Sequence, residues 1–272
     1  GASNGQAGEG LVYLHYGSAT GLAAAPSLTL EVNVAGAQFG TSVSTAGDVN
    51  GDGYADVVIG APANGNGAAY VFMGGAGGLS TAPSATLTGG TQCGRSVATA
   101  GDADHDGFAD VIIGSPGTGE ARIFEGSPTG IVTTPVVVLS ELPASGLFGT
   151  AVATAGDVNG DGYSDVIVGA PQAANGQANE GLAYVYHGGA TSITTTYARM
   201  LEVNQAAAGF GISVSGAGDV NGDGFFDVVV GADLWESGQT DEGAAFVFHG
   251  SATGIAAATA STLQRNITDG RM

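Results

Sequence analysis

Four stretches of this 272-residue chain place oxygen-bearing side chains at one fixed spacing. They run Asp48-Val-Asn50-Gly-Asp52-Gly-Tyr54-Ala-Asp56, Asp102-Ala-Asp104-His-Asp106-Gly-Phe108-Ala-Asp110, Asp157-Val-Asn159-Gly-Asp161-Gly-Tyr163-Ser-Asp165 and Asp219-Val-Asn221-Gly-Asp223-Gly-Phe225-Phe-Asp227. Side-chain oxygens fall at positions 1, 3, 5 and 9, and glycine at position 6 allows the sharp turn that draws them round one point. The backbone carbonyl of position 7 (Tyr54, Phe108, Tyr163, Phe225) completes a shell of about six or seven oxygens, which suits a hard cation of calcium's size. With no thiol or imidazole at a ligand position, zinc and copper are disfavoured. Magnesium prefers a tighter octahedron and keeps its water. The loop departs from the helix-flanked EF-hand, which needs glutamate at position 12, where the first copy has Ile59.

A polar turn rich in Asp, Asn and Gly is the plain alternative, but it needs perhaps one carboxylate per turn. Here thirteen carboxylates occupy the ligand positions, three in each loop except the second, which has four. Their mutual repulsion calls for a counterion. About four bound calcium ions, with a structural role, are therefore expected.

The charge balance points the same way. Asp and Glu number 25 against five arginines, for a net charge of −20. Nucleic acids and anionic membrane surfaces need a basic face, so both are excluded as partners. No apolar run is long enough to span a bilayer, so no membrane insertion is expected in this segment. Cys93 is the one cysteine; it reads as a small buried hydrophobe.

The loops must be held by something, and the repeat shows what. Successive loops start 54, 55 and 62 residues apart. Each unit opens with Phe-Gly (Phe39-Gly40, Phe148-Gly149, Phe210-Gly211; Cys93-Gly94 in the second). A strand of small residues, the acidic loop, a Val/Ile strand, an alternating strand such as "AAYVFMG" and a weaker fourth strand follow, with no helical period. Four-stranded antiparallel units at this spacing predict an all-β fold, a β-propeller. Residues 1–38 read as the second half of a preceding blade. Complete blades are expected over 39–92, 93–147, 148–209 and 210–272, all in one propeller domain.

The Phe-Gly opening, the "GDVNGDGYADVVIGAP" run from Gly47 to Pro62 and the "YVF" strand resemble the FG-GAP repeats of integrin α-subunit propellers and their bacterial relatives. The resemblance implies a propeller with structural calcium on one face and ligands meeting loops on the other. It carries the metal role to Asp48, Asn50, Asp52, Tyr54, Asp56 and their equivalents in the other three loops. It also implies an extracellular or cell-surface adhesion or recognition module, with a protein or glycan ligand opposite the calcium loops. No Arg-Gly-Asp motif is present, and the chain has fewer repeats than the usual seven.

The loop after the second strand is long in the last two units, and the last holds Trp235 with Glu236, Asp241 and Glu242. These four are the candidate partner-binding residues. An exposed indole there would stack on a sugar in a lectin-like reading, or anchor a protein; alternatively it covers the edge between blades. Catalysis, on a polysaccharide or phosphoester, is the weakest reading. His15, His187 and His249 lie at alternating strands, His105 lies inside the second loop, and none has a partner at metal spacing.

Overall fold

The computed structural model describes residues 6–141 and 146–264; the stretches of the expected units at 1–5, 142–145 and 265–272 lie outside the described residues. The chain opens with β1 (Val12–Leu14), β2 (Gly17–Ser18), β3 (Gly21–Leu22) and β4 (Leu28–Leu30). Four sheets follow: β5 (Ser42–Gly47), β6 (Asp56–Ala61), β7 (Ala68–Phe72) and β8 (Ala85–Thr88); β9 (Ser96–Gly101), β10 (Asp110–Ser115), β11 (Glu120–Phe124) and β12 (Val137–Ser140). The third comprises β13 (Ala151–Gly156), β14 (Asp165–Ala170), β15 (Leu182–Tyr186) and β16 (Arg199–Leu201), the fourth β17 (Phe210–Gly218), β18 (Asp227–Ala232), β19 (Ala244–Phe248) and β20 (Ser261–Leu263).

Each sheet is a four-stranded antiparallel meander in chain order, and the described residues contain no α-helix. The fold is thus all-β, built of propeller blades. No helix among the described residues is long and apolar enough to cross a membrane. The N-terminal half-blade is the pair β1–β4, which matches the third and fourth strands of a full blade. The extra β2–β3 pairing is a turn closed by Ser18, whose hydroxyl donates to the Gly21 carbonyl at 2.8 Å. The same serine turn recurs at Ser127 and Ser251 without strand pairing.

The apolar runs become strands because both their faces are covered. β10 and β14 are buried along their whole length, as are β7 and β15. Strands buried on two sides read as continuous rather than alternating apolar sequence. Inner strands stand side by side in order, β5 next to β9, β9 next to β13 and β13 next to β17. Their small residues converge on a cavity of about 360 Å³ lined by Ser44, Ala98, Thr154 and Ser215 among others.

The Phe-Gly pair locks the outer part of each blade. Phe148 is buried and meets Tyr184 and Tyr186 edge-on at 5.6 and 6.3 Å. Phe39 and Phe210 make the same pairs of contacts in their own blades. Gly149 has φ +87°, and its carbonyl oxygen lies 2.0 Å from where a Cβ on Gly114 of the preceding blade would be. Both positions therefore exclude any side chain. Where Phe is replaced, Cys93 is fully buried in the same role.

Candidate metal centre

Each acidic loop joins the first two strands of its blade, after a bulge at which the ladder shifts register between Thr45 and Gly47, or their equivalents. The glycine at position 6 has φ +87°, +95°, +91° and +92° in Gly53, Gly107, Gly162 and Gly224, so the predicted turn depends on it.

Backbone N–H groups fix the carboxylates before any ion arrives. In the first loop Asp52 and Gly53 donate to the two oxygens of Asp48 at 3.1 and 2.7 Å. Asp52 also donates to Asn50 Oδ1 at 3.1 Å, and Tyr54 to Asp52 Oδ1 at 3.0 Å. The same bonds recur from Asp102, Asp104 and Asp106 to Phe108, from Asp157, Asn159 and Asp161 to Tyr163, and from Asp219, Asn221 and Asp223 to Phe225. Donors led by the Gly224 N–H hold the Asp219 carboxyl below its usual range.

Asp102, Asp104 and Asp106 each offer a carboxylate oxygen within 4.8 Å of the others. That all-oxygen donor set fits a hard divalent cation. In the other loops an asparagine stands at the middle position and supplies an amide oxygen in place of the third carboxylate.

Position 9 is different in kind. Asp56, Asp110, Asp165 and Asp227 are buried, and both oxygens of each accept backbone bonds. Asp110 accepts from Ala103 at 2.9 Å and from Gly126 at 3.0 Å, tying its loop to the turn after the third strand. Asp56, Asp165 and Asp227 do the same with Val49 and Gly74, Val158 and Gly188, and Val220 and Gly250. Burial pushes Asp110 and Asp165 up to about 7 and raises Asp56 as well. A carboxylate oxygen has a second lone pair, so these bonds leave it able to meet a cation.

Neighbouring loops are bonded to one another. The N–H of position 8 donates to the position-1 carbonyl of the preceding loop: Ala109 to Asp48 (3.0 Å), Ser164 to Asp102 (3.2 Å) and Phe226 to Asp157 (3.1 Å). Ser127, Gly189 and Ser251 donate likewise to the position-2 carbonyls of Val49, Ala103 and Val158. The Phe108 and Phe225 rings lie over Gly51 and Gly160. His105, which replaces that glycine in the second loop, donates from Nδ1 to the Gly162 carbonyl at 3.0 Å and meets Tyr163 edge-on.

Of the partner-binding candidates, Trp235 packs edge-on against Phe246 at 5.2 Å beside the fourth blade's core. Its Nε1 is buried and has no hydrogen-bond partner among the described residues. Glu236 is exposed and tied through its backbone to the Gln205 amide. Asp241 is half-buried, whereas Glu242 is fully buried with neither oxygen partnered among the described residues. The four do not converge on one open surface.

Glu242 has equivalents that the sequence reading passed over. Glu9 and Glu180 are also buried, in the stretches "NGQAGEG", "NGQANEG" and "SGQTDEG" of the half-blade and the last two blades. Glu180 Oε1 accepts the N–H groups of Asn175 and Gln177 and so holds the long loop closed from within. The threefold recurrence of Gly-Gln-x-x-Glu-Gly was the available signal.

A family model described as "FG-GAP repeat" matches residues 39–72, 94–133, 148–186 and 210–248, more than half the chain. Integrin alpha pat-2 of Caenorhabditis elegans is 35% identical over 231 residues, covering 74% of this chain and 18% of that protein. Integrin alpha-5 of Xenopus laevis is 40% identical over 156 residues, covering 48% and 14%. The chain thus spans less than a fifth of the length of these relatives. Among solved structures, an exotype rhamnogalacturonan lyase overlays with TM-score 0.43 and 14% identity, over 96% of this chain and 51% of its own. The matched segments cover the acidic loop and the first three strands of each of the four sheets, and the chain belongs to the FG-GAP repeat family.

Proposed function

We propose that the chain is a calcium-stabilised, integrin-like propeller that serves as an adhesion or recognition module outside the cell or at its surface. The observation that carries this reading is the convergence of Asp102, Asp104 and Asp106 oxygens within 4.8 Å, in a loop geometry repeated in every complete blade. Calcium is structural in this account. It is held by the side chains at positions 1, 3, 5 and 9 and the carbonyl of position 7, about one ion per loop. Two positive charges per ion offset the crowding of a chain with net charge −20, so binding adds directly to folding stability.

The ligand surface is proposed at the opposite end of the blades, where the long loops before β15 and β19 lie. Buried Glu180 and the packed Trp235 support a preformed loop surface suited to a protein partner. A lectin-like role needs an exposed stacking platform, which the half-buried indole does not supply. Metal analysis of the purified chain tests the core of the reading, with about four calcium ions per chain expected and a large fall in melting temperature on chelation. No bound calcium and an unchanged melt would reduce the loops to turns. A glycan array, run beside a partner pull-down, separates sugar from protein ligands.

A further inference from the structure

The three junctions between complete blades are built alike, and the half-blade end of the chain presents the receiving side of one more. In each junction the position-2 residue of one acidic loop (Val49, Ala103, Val158) is fully buried against the following blade. Val49 packs with Val111, Phe124 and Ile131. Its carbonyl and that of position 1 accept two N–H bonds, and an aromatic ring from the next loop covers the residue at position 4.

The first complete blade has the same receiving groups, and among the described residues no preceding acidic loop lies against them. A cavity of about 210 Å³ is lined by Tyr54, Ala55, Val57, Gly75 and Leu79, the equivalents of the groups around Val49, and on its other side by Leu14 and by Tyr16, whose hydroxyl accepts from the Leu79 N–H at 3.0 Å. The N–H groups of Ala55 and Gly75, equivalent to those of Ala109 and Ser127, have no acceptor among the described residues. Tyr54, equivalent to Phe108, is half exposed. On the inner strand Val43 is 56% exposed, where its equivalents Val97 and Val152 are each 6% exposed. Beside this socket, among the described residues β1 pairs only with β4, and no strand lies on its other edge, where each full blade has a second strand.

We infer that this face is a docking site for a strand–acidic loop–strand hairpin of the same repeat. Its second strand pairs with the open edge of β1, and its position-2 side chain fills the cavity. The carbonyls of its first two loop residues accept from Ala55 and Gly75, and a glycine at its position 4 lies under Tyr54. Its inner strand covers Val43. The match is continuous with an interface already present three times in the molecule. It commits to a hairpin rather than a whole second copy, because a complete terminal blade carries its own third and fourth strands, and β1 and β4 already fill that space. The fit also follows from backbone and apolar groups alone, so it is independent of metal.

The fourth blade shows the chemistry of such a hairpin. Its Val220 is 57% exposed, and the carbonyls of Asp219 and Val220 have no donor among the described residues. A synthetic peptide of residues 210–232 is therefore the probe, added to the whole chain and followed by calorimetry and amide hydrogen exchange. An isolated two-stranded hairpin is marginal in water, so the peptide orders on docking. Saturable one-to-one binding is expected, with new protection at Ala55, Gly75 and β1. A peptide carrying Val220→Glu should bind about tenfold more weakly or worse, since it loses a buried apolar contact and buries a charge. No binding, equal binding of the two peptides, or protection elsewhere overturns the inference. So does sedimentation showing that the chain alone pairs through this face, which would make a second copy the occupant.

Discussion

At the scale of single residues, the position-9 aspartates decide how the acidic loops answer to pH. Asp110 and Asp165 are raised to about 7 by burial, well above the usual carboxylate range. A carboxyl whose folded value lies above its unfolded value favours the folded state at low pH. That contribution is lost as pH rises through the folded value. In chelated protein, both groups therefore predict a melting temperature that falls as pH rises from about 4 to about 7. His187 acts in the opposite sense, since burial lowers its value below 6.5 and its contribution is lost on acidification; against it stand the raised carboxyls of Asp56, Asp104, Asp110, Glu125 and Asp165. Bound calcium needs the deprotonated carboxylates, so saturating calcium should reverse the slope. Melting curves across this range, with calcium and with chelator, check the sign. Parallel curves in the two buffers would show that these carboxyls are not linked to the ion.

At the scale of elements, the long loops before β15 and β19 are held from inside. Glu180 Oε1 accepts from the backbone N–H groups of Asn175 and Gln177, and the Asn175 side chain donates to Glu202 at 2.8 Å. Glu180→Ala leaves two donors without their acceptor and is expected to destabilise by about 1–3 kcal/mol. Glu180→Gln keeps the accepting oxygen and gives the second, buried position a neutral group, so it should cost much less. Denaturant unfolding of both variants checks this order; equal losses would show that the accepting oxygen is not what holds the loop.

The contrast also shows what could be read from residues alone. Acidic loops and Val/Ile strands recur at a fixed period, and the blades follow from that period. The buried glutamates sit in polar, glycine-rich stretches, where one carboxylate looks like solvated loop. Only the match among Glu9, Glu180 and Glu242 sets them apart. The position of Trp235 was undecidable in advance because it depends on a partner, Phe246, across the loop. The bonds linking neighbouring acidic loops run between backbone groups, so no side-chain pattern announces them.

At the scale of the molecule, the chain is a row of units each touching its neighbours, so identical motif positions differ in energy according to whether another blade follows. Val158 and Val220 hold the same place in the third and fourth acidic loops, yet Val158 is fully buried and Val220 is 57% exposed. Val158→Asp puts an unpaired charge into the junction with the fourth blade and is expected to destabilise by about 3 kcal/mol or more. Val220→Asp changes a solvated side chain and should stay within about 0.5 kcal/mol of the parent. Both variants add one carboxylate to an acidic loop, so comparing them cancels the effect of charge on the metal site and leaves the junction. Denaturant unfolding in excess calcium gives the two values. If Val220→Asp cost as much as Val158→Asp, the fourth loop would be covered in solution, and the last blade would not be the exposed end of the row. A large gap would instead confirm that what stabilises each acidic loop is the blade after it as well as the ion within it.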